Sequence, residues 1–148
     1  MADTRITDKA AARAFILGGN ATFTLVSQKT GLRFTFRVRV SRKSTDPIHH
    51  VEVLAAHAAY EYVGSMLPRR AFNRSGKSKL SATDQRVLAF GWFWRTLVDP
   101  EHTSKLVPET VEMWHIGKCA RCARPLTDPI SIQSGFGPEC HSKMAAYA

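Results

Sequence analysis

The chain has 148 residues, a formal net charge of +9 and a pI of about 10.0. Hydrophobic residues make up 44% of it, which is enough to build a core and argues against a disordered chain. No apolar run approaches the ~20 residues that a membrane-spanning helix needs, and residues 1–15 lack the basic and apolar regions of a secretory signal. We therefore expect a cytoplasmic protein, and its charge favours an anionic partner such as nucleic acid.

The first 64 residues of the chain predict one helix and two pairs of β-strands. Residues 7–17 favour a short helix, because an alanine-rich run follows a capping residue and two glycines end it. Alternation of apolar and polar residues predicts the strands. Their ranges are 21–27 with 32–40, and 50–55 with 60–64.

The strand at residues 32–40 alternates most clearly. One face carries Phe34, Phe36, Val38 and Val40. The opposite face carries a row of basic residues, which continues past the strand: Arg33, Arg37, Arg39, Arg42 and Lys43. Residues on one strand face recur every ~7 Å, close to the spacing of phosphates along a nucleic-acid strand. We expect the apolar face to pack on the core and the arginines to face solvent, where they can contact phosphates.

A second basic cluster falls in the loop predicted at residues 67–80, which contains no acidic residue. It consists of Arg69, Arg70, Arg74, Lys77 and Lys79. Residues 71–78 also fit a loose phosphate-binding loop pattern, but no buried strand leads into them, so we do not expect a nucleotide site.

The next predicted element is a helix that is capped by Ser81 and ends at about Val98. Its inward stripe is predicted to consist of Val87, Phe90, Phe93, Trp94 and Leu97, with Leu88 and Trp92 widening it. A helix this apolar should be the main element that packs on the sheet, and its aromatic residues are expected to serve the core.

All three cysteines lie near the C-terminal end, after a strand predicted at residues 111–116. Cys119 and Cys122 form a C-x-x-C pair, and Cys140 follows after 17 intervening residues. Three cysteines cannot all pair as disulfides, and this spacing is typical of a zinc site. Pro138 predicts a short helix around Cys140, whose dipole favours the thiolate. We therefore expect one structural Zn²⁺.

The fourth zinc ligand must be sought among the histidines. His115 precedes Cys119 by three residues and is the ligand that the spacing favours. His141 is the alternative, although neighbouring residues on a helix point about 100° apart, so that Cys140 and His141 reach one ion with difficulty. Four basic residues flank the cysteines and add a third cluster to the expected phosphate surface: Lys118, Arg121, Arg124 and Lys143.

Residues His115 to Cys140 follow the pattern H-x3-C-x2-C-x-R-P-L-T-x-P-x-S-I-x-x-G-x-G-P-E-C. This pattern resembles the C-terminal zinc finger of an uncharacterised domain family from phages, plasmids and actinobacterial genomes. Residues 25–40 and 60–64 are similar to the family's N-terminal half. The resemblance implies a treble-clef-like zinc finger and a mobile-element origin, hence a bacterial host cell, and it brings no assigned activity.

These patterns predict an α+β protein. Residues 1–110 should form a small antiparallel sheet packed on the aromatic-rich helix, and residues 111–148 a zinc-finger module. We expect a non-enzymatic protein that binds the backbone of DNA or RNA. The alternative is a protein-binding inhibitor or regulator that acts on an acidic or nucleic-acid-binding protein of a host defence complex. An enzyme is disfavoured, because four protein ligands leave no position on zinc for a catalytic water.

Overall fold

The computed structural model describes residues 4–41, 47–68 and 70–143. The elements follow the chain as β1 (Arg5–Ile6), α1 (Lys9–Ile16), β2 (Asn20–Ser27), β3 (Arg33–Ser41), β4 (Ile48–Leu54), β5 (Tyr60–Met66), β6 (Asn73–Arg74), α2 (Gln85–Val98), β7 (Val111–His115), α3 (Pro129–Ser134) and α4 (Pro138–Lys143). The predicted α+β class, the first helix and both strand pairs are confirmed. None of the helices in this described part of the chain has the length and apolar character needed to span a bilayer.

The described strands form one antiparallel sheet in the order β1–β7–β2–β3–β4–β5–β6. The prediction of a small sheet is wrong, because seven strands take part. Strands β2 to β5 form a meander of sequence neighbours, whereas β7 pairs with β2 over residues that are far apart in the chain. The predicted domain boundary between residues 110 and 111 stays a prediction. The first strand after this boundary is β7, and it lies inside the sheet, between β1 and β2.

Both longer helices contribute to one aromatic core on one face of the sheet. Phe90 of α2 lies 5.3 Å from Phe36 of β3 and 6.4 Å from Phe23 of β2, measured between ring centroids. Phe15 of α1 lies 6.3 Å from Phe23 in an edge-to-face arrangement. All four rings are fully buried, and aromatic pairs at these distances stabilise a core beyond the area that they bury.

Helix α2 begins later than predicted, because its N-cap is Asp84 and not Ser81. The Asp84 carboxylate accepts a hydrogen bond from the backbone N–H of Arg86. The predicted inward stripe is confirmed, since all five of its residues are buried. The prediction that Leu88 and Trp92 widen it is wrong: they are 54% and 41% exposed. Each lies about 100° around the helix from a member of the stripe and so misses the sheet.

The other face of the sheet keeps its side chains in contact with solvent. Along most of β2 and β4, and throughout β7, buried inward residues alternate with outward residues that are partly exposed. We call the outward side the open face. Its central members are Thr22, Thr24, Arg37, Arg39, His50, Glu52, Tyr60, Tyr62 and Trp114. The predicted separation of the arginines from the phenylalanines of β3 is confirmed.

Candidate metal centre

Tight backbone hydrogen bonds fold the C-x-x-C segment into a turn directly after β7. The N–H of Cys119 donates to the carbonyl of Arg124 at 2.9 Å, and the N–H of Ala123 donates back to the carbonyl of Cys119 at 2.9 Å. The backbone N–H of Arg121 also donates to the Cys119 sulfur at 3.4 Å. This turn aims the Cys119 and Cys122 side chains in the same direction, as the two-residue spacing predicts.

The third cysteine comes from α4 and completes a cluster. The sulfur atoms of Cys119, Cys122 and Cys140 all lie within 4.8 Å of one another. About 3.8 Å separates two sulfurs on a tetrahedral Zn²⁺ with Zn–S bonds of about 2.3 Å, so a small contraction would seat the ion. All three cysteines are free thiols; Cys119 and Cys140 are buried and Cys122 is exposed. The cluster can therefore hold a metal ion, and an all-sulfur set suits a soft or borderline cation.

The surroundings of the thiols favour ionisation of Cys119 over ionisation of Cys140, as the pKa directions of the two groups indicate. Burial raises the pKa of the Cys119 thiol, but backbone N–H groups of Cys122, Gly137 and Arg121 donate to its sulfur and leave the pKa below its ordinary value. Burial and the neighbouring cysteines raise the pKa of Cys140, although Arg121 opposes them. Three adjacent thiolates repel one another, and a divalent cation would remove that repulsion.

Arg121 lies beside the sulfur cluster, and its predicted role as a phosphate contact stays a prediction. Its guanidinium Nη1 donates to the Cys140 sulfur at 3.8 Å, and the side chain is half-buried. Three thiolates around one Zn²⁺ carry a net charge of −1, which a nearby guanidinium partly offsets. Arg121 thus serves the sulfur cluster in this structure, whereas Lys118 and Arg124 are exposed.

The structure does not bring His115 to the sulfurs. Within the described residues, the three cysteines alone form the group of potential ligands. The His115 ring is buried, Nδ1 accepts from the N–H of Gly117 at 2.9 Å, and Nε2 contacts the carbonyl of Ile132. A neutral imidazole has one donor and one acceptor, so both are engaged here. The ring also stacks on Phe15 with centroids 5.5 Å apart.

His141 follows Cys140 on α4, and its side chain is exposed. It also lies outside the group of sulfurs. Its backbone N–H donates to the carbonyl of Gly137 at 2.9 Å, which is a hydrogen bond of the first turn of α4. The geometry therefore brings together three of the four predicted ligands, and the identity of the fourth ligand stays a prediction.

The cysteine region packs closely at two points, one at the turn between α1 and β2 and one at Phe15 of α1. The Ala120 carbonyl accepts from the N–H of Asn20 at 2.7 Å and would lie 2.7 Å from a Cβ placed on Gly18. Gly135 has φ of 81°, and a Cβ there would lie 2.4 Å from the Phe15 ring. Since Phe15 is fully buried, the metal region is joined to the main core and not tethered loosely.

Residues 115–145 match the model of a family of unknown function, DUF6011. The match spans the three cysteines, His115 and His141, and it leaves residues 1–114 outside. Comparison with curated proteins gives no significant match, and neither does comparison with solved structures. The similarity therefore assigns no activity to residues 115–145 or to the rest of the chain.

On the open face, the predicted row of arginines is partly neutralised by one acid. Glu52 accepts from Arg37 through both carboxylate oxygens, at 3.1 Å each, and from Arg39 through Oε1 at 2.9 Å. Burial raises the pKa of Glu52, but these two guanidinium groups outweigh it and hold the pKa below its ordinary value. Sequence reasoning missed Glu52 because it is distant in the chain, whereas strand pairing places it opposite Arg37. Arg33 is exposed at the start of β3.

The other predicted basic residues differ in their surroundings. Arg74 is half-buried, and its guanidinium donates to the carbonyl of Leu80 at 2.8 Å, which shapes its own loop. Three residues of that loop are exposed: Arg70, Lys77 and Lys79. Three more predicted contacts lie outside the described residues: Arg42, Lys43 and Arg69. The exposed cations therefore remain candidates for phosphate contacts, whereas Arg74 has a structural role.

An apolar groove of about 460 Å³ separates α2 from the β2–β3 hairpin. Its exposed apolar walls are Leu32, Leu88 and Trp92, and Phe34 lines it as well. Lys29 is the charged residue of its lining, which contains no acidic residue among those described. Sequence reasoning assigned Leu88 and Trp92 to the core and so missed this surface.

Proposed function

We propose that this chain is a zinc-stabilised, non-enzymatic protein that binds nucleic acid. The observation that carries the zinc part is the convergence of the three cysteine sulfurs beside a well-packed core. An all-cysteine set gives Zn²⁺ a structural role, because the group contains no carboxylate or histidine that could act as a base on a bound water.

The nucleic-acid part of the proposal is supported by charge and its placement. The chain carries a net charge of +9. Exposed cations occur on the open face at Arg33 and Arg39, and beside the cysteines at Lys118 and Arg124. Phosphate contacts of this kind attract DNA and RNA alike and carry no sequence code, so we propose binding with low sequence specificity.

Two measurements test the proposal. Elemental analysis of protein purified without added metal should give about one zinc per chain, and Cys140→Ser should abolish it. A binding titration at several salt concentrations, on a duplex and on a single strand, should give an affinity that falls steeply with salt. Arg39→Gln should flatten the slope of log affinity against log salt by about 0.7–0.9, the value for one phosphate contact. Zinc content near zero refutes the first part, and salt-independent or absent binding refutes the second.

The second candidate is a protein-binding inhibitor or regulator that acts against a host defence complex. The apolar groove at Leu32, Leu88 and Trp92 favours it, because exposed apolar surfaces of this kind mark interaction sites. Lys29 at the groove fits an amphipathic acidic segment of the partner. A stable protein complex that survives nuclease treatment and is lost in Leu88→Asp would support this candidate. The phage or plasmid origin and the bacterial cytoplasm that the resemblance implies stay part of this proposal.

A further inference from the structure

We propose that the open face binds single-stranded nucleic acid, with bases stacked on its aromatic residues and phosphates held by its paired arginines. This inference rests on the proposed nucleic-acid function and names the substrate class and the site. It follows from three features of the face: aromatic residues at both flanks, a fixed pair of arginines between them, and a breadth of five neighbouring strands.

The aromatic residues stand on opposite flanks of the face. Trp114 lies on β7, and Tyr62 lies on β5, with β2, β3 and β4 between them. Four spacings of about 4.8 Å place the two residues roughly 19 Å apart. Both are half-exposed. The face therefore has room for several nucleotides of an extended strand between two stacking positions.

Hydrogen bonds satisfy the polar atoms of these aromatic side chains. The Trp114 indole Nε1 donates to Glu112 Oε1 at 2.9 Å, and the Tyr62 hydroxyl contacts His50 Nδ1 at 3.1 Å. The rings of His50 and Tyr62 lie 5.8 Å apart. Polar atoms that are already bonded leave the ring surfaces as the available contacts, and a ring surface stacks on any base without regard to sequence.

Glu52 holds the two arginines of the face side by side. It bonds Arg37 through Nε and Nη2, and Arg39 through Nε and Nη2, while the Arg37 guanidinium also lies 4.0 Å over the Tyr60 ring. A guanidinium has five N–H donors, so each arginine retains donors after bonding Glu52. Two guanidinium groups and one carboxylate leave a net charge of +1 at the centre of the face. The arginines are thus ordered before a phosphate arrives, which lowers the entropic cost of binding.

The breadth of the open face favours a single strand over a duplex. A duplex keeps its bases stacked inside and presents phosphates on a convex surface, so it cannot reach aromatic side chains on a broad sheet. Its major groove admits a helix or a two-stranded ribbon, which is much narrower than five neighbouring strands. The bases of a single strand are free to stack on Tyr62 and Trp114.

The test measures fluorescence anisotropy of labelled 12-nucleotide poly-dT and poly-rU strands and of a 12-base-pair duplex, each at several salt concentrations. The proteins are the zinc-loaded wild type and the variants Tyr62→Leu, Trp114→Leu and Tyr62→Phe. Removing one stacked base contact is expected to weaken single-strand binding roughly 5- to 150-fold, which corresponds to about 1–3 kcal/mol. Tyr62→Phe keeps the ring and should bind as the wild type does. Thermal melts confirm that each variant is folded.

The outcomes separate this inference from the function on which it rests. Tighter binding of single strands than of duplex, with selective loss in both leucine variants, supports it, and the poly-dT and poly-rU arms tell DNA from RNA. Equal binding of duplex and single strand that neither leucine variant changes overturns the inference, while a steep salt dependence in the same data preserves the proposed function. Absence of salt-dependent binding to every probe overturns both.

Discussion

The turn between α3 and α4 offers a sharp test of how the metal region is anchored. Gly135 adopts a left-handed backbone conformation, with φ of 81°, and a Cβ there would meet the Phe15 ring at 2.4 Å. The ring cannot yield, because Phe15 is fully buried against Phe23, Phe136 and His115. Gly135→Ala should therefore destabilise the protein and loosen the site around Cys140.

Backbone strain at residue 135 and crowding of the Phe15 ring both lower the stability of Gly135→Ala, and each has a known order of magnitude. A left-handed conformation costs a non-glycine residue about 1–2 kcal/mol, and an overpacked core costs about 1–3 kcal/mol. We expect a loss of roughly 2–5 kcal/mol in the free energy of unfolding. In a chain of this length, that is a fall of about 5–15 °C in melting temperature. Zinc should also dissociate faster, because α3 and α4 would have to move away from Phe15.

Gly137 supplies the matched control. It lies two residues further on, and a Cβ there would have nothing within 4 Å. Gly137→Ala keeps the backbone N–H that donates to Cys119 and adds a Cβ that meets nothing, so it should stay within about 0.5 kcal/mol of the wild type. The assay is thermal unfolding followed by circular dichroism, with zinc release followed by a chromophoric chelator. Equal stability of the two variants would show that the turn does not press on Phe15 and would refute the anchoring argument.

Three further predictions follow from the described contacts. His115→Ala should lower the melting temperature while zinc stays near one per chain. His141→Ala should speed zinc release and leave the stability of the zinc-free protein unchanged. Zinc loss in His115→Ala alone would place His115 in the metal shell. Glu52 has a lowered pKa, so its ion pairs should stabilise the fold above about pH 4.3 and lose this effect as pH falls through the lower folded pKa. Urea midpoints between pH 7 and pH 3 should therefore converge for the wild type and Glu52→Gln, and a constant gap would contradict this. Phe90→Ala should cost about 3–5 kcal/mol in urea unfolding, against less than about 0.5 kcal/mol for the exposed Leu88→Ala.

Local patterns in the sequence were enough to predict most of the elements. Alternation in β3 separates Phe36 from Arg37, and the burial pattern follows it. The C-x-x-C spacing and the turn before Cys140 predicted a metal cluster, because both act through short-range backbone geometry. The first helix and the stripe on α2 were predictable for the same reason.

Long-range pairing accounts for what the sequence did not reveal. The sheet looked small because nothing local shows that β7 pairs with β2 or that β1 pairs with β7. Glu52 appeared unrelated to the arginines, although pairing sets it directly opposite Arg37. His115 is favoured as a ligand by its spacing, and its ring stacks on Phe15 in the fold, so its role as a ligand stays a prediction. In the first two cases, a contact between distant parts of the chain decided the outcome.

The position of β7 inside the sheet has a consequence for synthesis on the ribosome. The meander of β2 to β5 can form as soon as residues 20–66 have emerged, because its contacts are local. The edge of β2 must then wait for residues 111–115. During that interval β2 presents an unpaired edge, which is a template for aggregation. The nascent chain is therefore expected to need protection until β7 emerges and closes the gap between β1 and β2.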